Sequence, residues 1–125
     1  MAEDRKGFKI KEDGLGQVQI ADEVITIIAG LAATEVEGVR SMAGNITKDL
    51  VSRLGIKNLS KGVRIEMQED CVLVHVAINI IYGYAIPEVS AKVQEKVKSA
   101  IENMTGLTVA TVNVRIVDVD MKTEA

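Results

Sequence analysis

The chain has 125 residues, 47% hydrophobic and 26% charged, which suits one globular domain and is too short for two ordinary ones. One cysteine (Cys71) excludes an internal disulfide, and one cysteine with one histidine (His75) cannot supply the roughly four ligands of a dedicated zinc or iron–sulfur site, so no cofactor or metal is expected. The formal net charge of −3 gives no general affinity for polyanions, and with no Trp, one Phe and two Tyr the core must be aliphatic.

Met1 to Asp13 mixes both charge signs and reads as a flexible tail, residues 1–13. It lacks the apolar stretch of a signal peptide. Gly16 to Ile20 alternates as a short strand. Asp22 and Glu23 then suit a helix N-terminus, and Val24, Ile25, Ile27, Ile28, Leu31 and Ala32 follow at helical spacing, apolar around most of the circumference. Gly38 breaks that helix, and Val39 to Met42 is a short extended segment. Ile46, Leu50, Val51 and Leu54 mark a second helix, closed by Gly55.

Val63, Ile65 and Met67 alternate with charged or polar residues, Glu69-Asp70 turns the chain, and a long strand runs from Val72 to Ile81, so these two strands form a hairpin. Pro87 suits the first turn of a third helix, whose stripe is Val89, Val93, Val97, Ala100, Ile101 and Met104 and whose end is Gly106. A last strand places Val112, Val114 and Ile116 on one face. Val117 and Val119 break that parity, which points to a bulge or a change of neighbour. The predicted fold class is α+β: a small single domain with a mainly antiparallel sheet and three helices packed on it. The longest uncharged stretch, Cys71 to Pro87, is interrupted by His75, Asn79 and Gly83, so no transmembrane helix is expected.

The order and spacing of three stretches resemble the alkaline-shock family of envelope-stress proteins, found mainly in Gram-positive bacteria. They are Gly16-x-Val18-x-Ile20 running into Glu23-Val24, Ala29-Gly30, Val36-Glu37-Gly38-Val39 and Met42; Lys61-Gly62-Val63; and Tyr82-Gly83, Ile86-Pro87-Glu88-Val89, Val93-Gln94, Val97-Lys98, Ile101-Glu102, Met104-Thr105-Gly106-Leu107 and Val112-Asn113-Val114. Cys71 departs from the pattern, standing where the family suggests glycine after the hairpin turn. The resemblance implies an alkaline-shock-type domain over 14–121 between flexible tails at 1–13 and 122–125. It implies a non-enzymatic cytoplasmic adaptor in envelope stress and homeostasis, working through protein partners, some of them membrane-anchored. One branch, closest to the Gly14-Leu-Gly16 opening, is associated with control of fatty-acid synthesis. No catalytic residues carry over.

The residues themselves offer little chemistry. His75 has only Asn79 as a polar neighbour on its own strand face, and Cys71 abuts Glu69 and Asp70, whose charges oppose a thiolate. The glycines form no phosphate loop and the carboxylate pairs no calcium loop. Lys48, Arg53, Lys57, Lys61 and Arg64, opposed only by Asp49, form a candidate patch for an anionic partner. Leu73, Ala77, Ile81, Val117 and Val119 form a candidate homo-oligomer face, because they leave apolar groups on the second side of the sheet. The alternative to an adaptor is a KH-like nucleic-acid-binding module. Against it stand the absent G-x-x-G loop, the negative charge and the scarce aromatics. An enzyme ranks last, since no nucleophile, base and orienting group can be assembled.

Overall fold

The computed structural model describes residues 7–43 and 61–121. The elements run β1 (Gly7–Asp13), β2 (Gly16–Ala21), α1 (Asp22–Thr34), β3 (Val39–Met42), β4 (Val63–Met67), β5 (Val72–Ile81), α2 (Ile86–Thr105) and β6 (Val109–Asp120). The helix expected around Ile46 to Leu54 lies outside the described residues. The class is α+β as read from the sequence.

β5 is the spine. β6 pairs with it in parallel over its whole length, from Val72↔Val109 to Ile81↔Asp120. A strand has two edges, so the partners that remain must share the other one. β4 takes the half from Val72 to Val76, and β3 takes the half from Ile78 to Ile80, both antiparallel. β3 and β4 are therefore collinear: the chain leaves the line at Ala43, whose N–H donates to the Ala77 carbonyl, and resumes it one residue further along β5, at Val63↔Val76. The strand pairing is mainly antiparallel, as expected, and the parallel β5–β6 pair follows from the helix between the two strands, which carries the chain back to the starting end of the sheet.

Alternation along β5 divides the sheet into two faces. Val72, Val74, Val76, Ile78 and Ile80 are at most 1% exposed and form one cluster with Ile25, Ile28, Ala29, Ala32 and Ala33 of α1 and Val89, Val93, Val97 and Ile101 of α2. Each fully buried Val or Ile contributes roughly 1.5–3 kcal/mol of transfer free energy. Both helices thus cover the same face. α2 starts with Pro87 in its first turn and ends at Gly106, whose φ of 78° is the left-handed cap and whose N–H donates to the Glu102 carbonyl. Met104, expected in the buried stripe, is 69% exposed. Gly38, at φ 101°, allows the turn into β3 to pass beside α2: a Cβ there would stand 2.7 Å from Val89 Cγ2.

The segment placed by the sequence in a tail is a strand from Gly7 on. β1 pairs antiparallel with β2 around Gly14-Leu15, with a register shift between Lys9 and Lys11. Its charges gave it the look of a tail, and Lys9 pairs with Glu12 and Lys11 with Asp13 within the strand itself. At the other side of the molecule, β6 has no further strand beyond it among the described residues. There the Val112 carbonyl accepts a hydrogen bond from Gln94 Nε2 of α2, 3.0 Å away.

Candidate functional site

The outer face of the sheet is the one that neither described helix covers. Register fixes which side chains meet there. Arg64 of β4, His75 of β5 and Asn113 of β6 lie in one row across three strands, and Arg115 is opposite Ala77 in the next. Beside Gly62 and the small Ala77 there is a depression of about 460 Å³ among Lys61, Arg64, His75, Asn113 and Arg115.

His75 has two partners that its own strand does not supply. Its Nε2 lies 3.0 Å from Glu66 Oε2 and its Nδ1 lies 3.3 Å from Asn113 Nδ2. Both ring nitrogens are thus engaged, Nε2 by the Glu66 carboxylate and Nδ1 by the Asn113 amide. The Glu66 carboxylate also lies 3.7 Å from Arg64 Nη2. Lys61 and Arg115 have no ion-pair partner among the described residues. The depression is therefore cationic, with Glu66 the carboxylate at its margin. A histidine oriented by a carboxylate is half of a nucleophilic apparatus, but the lining includes no Ser, Thr or Cys for it to activate. The arrangement can bind and orient an anionic group.

Of the basic patch read from the sequence, Lys61 and Arg64 are brought together here, while Lys48, Arg53 and Lys57 lie outside the described residues. Arg115, Asn113 and Glu66 were missed as parts of the site. Strand parity could have placed Glu66 and Arg64 beside the outer face of β5, but the pairing of β6 was not legible.

The proposed oligomer face divides. Leu73, Ala77 and Ile81 lie together on the outer face, each half-buried. Val117 is the extra residue of a bulge between Ile116 and Asp118, and is 49% exposed. That bulge restores the alternation one residue late, so Val119 pairs with Ile80 and packs against the core instead of facing outward. Around Ile81 the face is closed by an ion pair, Arg40 Nε to Asp120 Oδ2 at 2.8 Å. Further along, Asn79 Nδ2 donates to Ser41 Oγ at 2.9 Å, with both residues buried.

Other candidates separate from this face. Cys71 is a free, partly buried thiol at the β4–β5 turn. Of the carboxylates suspected at turns, Glu35 pairs with Lys96 at 3.7 Å and Glu37 accepts from the Tyr84 hydroxyl at 3.3 Å. The charge of Glu37 is the main reason that the Tyr84 phenol is held above its ordinary range. Among the described residues no three His, Cys, Asp or Glu side chains could hold a metal ion together, and no helix is long and apolar enough to cross a membrane.

Comparison with known proteins places these features in context. The sequence model of the alkaline shock protein 23 family, described by a cell envelope-related function, matches residues 10–121. Uncharacterized protein YqhY of Bacillus subtilis (strain 168) is 41% identical over 111 residues, covering 89% of this chain and 82% of that protein. A stress response regulator gls24 homolog of Streptococcus pyogenes (serotype M3, strain MGAS315) is 31% identical over 108 residues, covering 86% of this chain and 60% of that protein. Among solved structures, a MamM CTD chain superposes with a TM-score of 0.49 at 14% identity, covering 78% of this chain and 94% of that one.

Proposed function

Since the chain belongs to the alkaline shock protein 23 family, a family of cell envelope-related function, we propose that it is a non-enzymatic adaptor in the envelope stress response that docks partners on the outer face of its sheet. The observation carrying this reading is the pairing of a sheet face that no described helix covers with a cationic depression whose lining includes no Ser, Thr or Cys. A relative named as a stress response regulator supports the stress context. The working location is the cytoplasm, with the membrane reached through an anchored protein partner, and the narrower process is envelope homeostasis linked to control of fatty-acid synthesis. A second copy of the chain docks on the same face beside Leu73, Ala77 and Ile81. The KH-like alternative has less support, because neither Tyr82 nor Tyr84, the exposed aromatics, lines the depression where bases would have to stack.

The test is rescue of a deletion strain under envelope stress. Arg64→Glu together with Arg115→Glu is expected to abolish rescue at normal protein level, while His75→Gln retains it. Full rescue by the charge-reversed protein would refute docking through this face. Loss of rescue by His75→Gln alone, joined to a turnover by the purified wild-type chain that this substitution removes, would refute the non-enzymatic reading.

A further inference from the structure

We infer that the depression is a binding site for the phosphoryl group of a small anionic molecule. The inference adds a ligand to the face assigned to docking, and it can fail while docking stands.

Charge comes first. Lys61, Arg64 and Arg115 converge from the root of β4, from β4 itself and from β6, while Glu66, the carboxylate in contact with the set, is engaged by His75 and lies within reach of Arg64. Lys61 and Arg115 are left without an ion pair among the described residues, in contrast to Arg40, which Asp120 holds at 2.8 Å. Two unpaired cations flanking a concavity repel each other, and an anion between them relieves that repulsion.

Shape comes second. Ala77, with only a methyl on the outer face, lies among the lining residues beside Gly62, so the cations stand around a hollow and not on a ridge. A volume of about 460 Å³ lies in the range of small-ligand sites.

The donor set decides the class of anion. One guanidinium fork saturates a carboxylate in a bidentate pair. Here two guanidinium groups, an ammonium and the Asn113 amide surround one space, which matches the three or more oxygens and higher charge of a phosphoryl group. The adjoining Val63, Val76 and Val114 turn their side chains to the core and offer only backbone to the rim of the hollow.

The experiment uses the full chain labelled with nitrogen-15 and inorganic pyrophosphate as the probe. Saturable shifts are expected at Arg64, His75, Asn113 and Arg115, with acetate at equal concentration producing none. Arg64→Gln and Arg115→Gln are each expected to weaken the apparent affinity about tenfold, or ~1.4 kcal/mol, and Lys98→Gln, on α2, to leave it unchanged. Ala77→Leu fills the hollow without altering charge and should abolish the shifts. Flotation with phosphatidylglycerol vesicles, against phosphatidylcholine vesicles, distinguishes a free phosphoryl compound from a lipid headgroup. The inference is overturned by absence of shifts, by equal shifts with acetate, by unchanged affinity in both arginine variants, or by binding that survives Ala77→Leu. Vesicle flotation without any pyrophosphate response likewise overturns it in favour of a membrane surface. Loss of the pyrophosphate response in a variant that still rescues the deletion strain separates this site from the docking role.

Discussion

The two faces of β5 are built from neighbouring residues of a single strand, yet they obey different rules. On the inner face, Val72, Val74, Val76, Ile78 and Ile80 are interchangeable in chemistry and all but completely buried. On the outer face, aliphatic Leu73, Ala77 and Ile81 and the imidazole of His75 stay partly exposed, and Asn79 is buried in a hydrogen bond to Ser41. The inner face is specified by volume and hydrophobicity, which many sequences satisfy. The outer face is specified by cross-strand neighbours, because what His75 can do depends on Glu66 and Asn113. Apolar burial is concentrated on one side of the strand and polar cross-strand pairing on the other.

The sharpest way to break this comparison is to cut into the inner face. Ile78→Ala removes a fully buried side chain at the centre of the sheet and is expected to cost about 2–5 kcal/mol in urea unfolding. A loss below ~1 kcal/mol would mean that the core is not packed as described. Gly38→Ala comes next. The positive φ and the 2.7 Å approach to Val89 predict a loss of about 1–3 kcal/mol, visible as a lower Tm, and an unchanged Tm would contradict that close approach.

Substitution on the outer face should behave differently. Leu73→Lys with Val117→Lys puts two charges where both residues are already partly exposed. The circular dichroism should stay native, with stability changed by no more than about 1 kcal/mol. If a second copy docks there, the mass seen by light scattering should fall from that of the wild-type oligomer to that of a monomer. A wild-type chain that is monomeric at high concentration would remove the self-association proposal, and unfolding of the double variant would show that the face is covered after all.

The smallest expected effect lies away from both faces, at Tyr84. Its phenol is raised mainly by the charge of Glu37, with desolvation and the hydrogen bond adding to it. The fold therefore keeps the proton at a pH where the unfolded chain begins to lose it. The resulting contribution is present below the unfolded value of ~10 and disappears as pH rises through the higher folded value. Following the phenolate absorbance, Glu37→Gln should move one tyrosine back toward the ordinary range, and no movement would rule out Glu37 as the cause.

Local periodicity carried much of the fold: the buried alternation of β5, the helix stripe from Val89 to Ile101, and the caps at Pro87 and Gly106 all express a period of two or 3.6 within one segment. Interactions between segments were less accessible. His75 meets a residue nine positions earlier and another 38 positions later, and no local rule connects them. The bulge at Val117 is a second case: the broken parity announced an irregularity, but only the pairing with Ile80 shows that Val119 returns to the core. β1 was taken for a tail because its charges of both signs pair within the strand itself, Lys9 with Glu12 and Lys11 with Asp13, which in a sequence looks the same as a solvated terminus.

The bond from Gln94 to the Val112 carbonyl has a bearing on how the protein survives crowding. A long exposed border strand is a template on which another chain can extend a ladder, in the way that fibrils grow. At Val112 that template is interrupted by a side chain of the molecule's own helix, so a foreign strand would have to evict Gln94 before it could zip past the middle of β6. The chain thereby carries a lock of its own on this border.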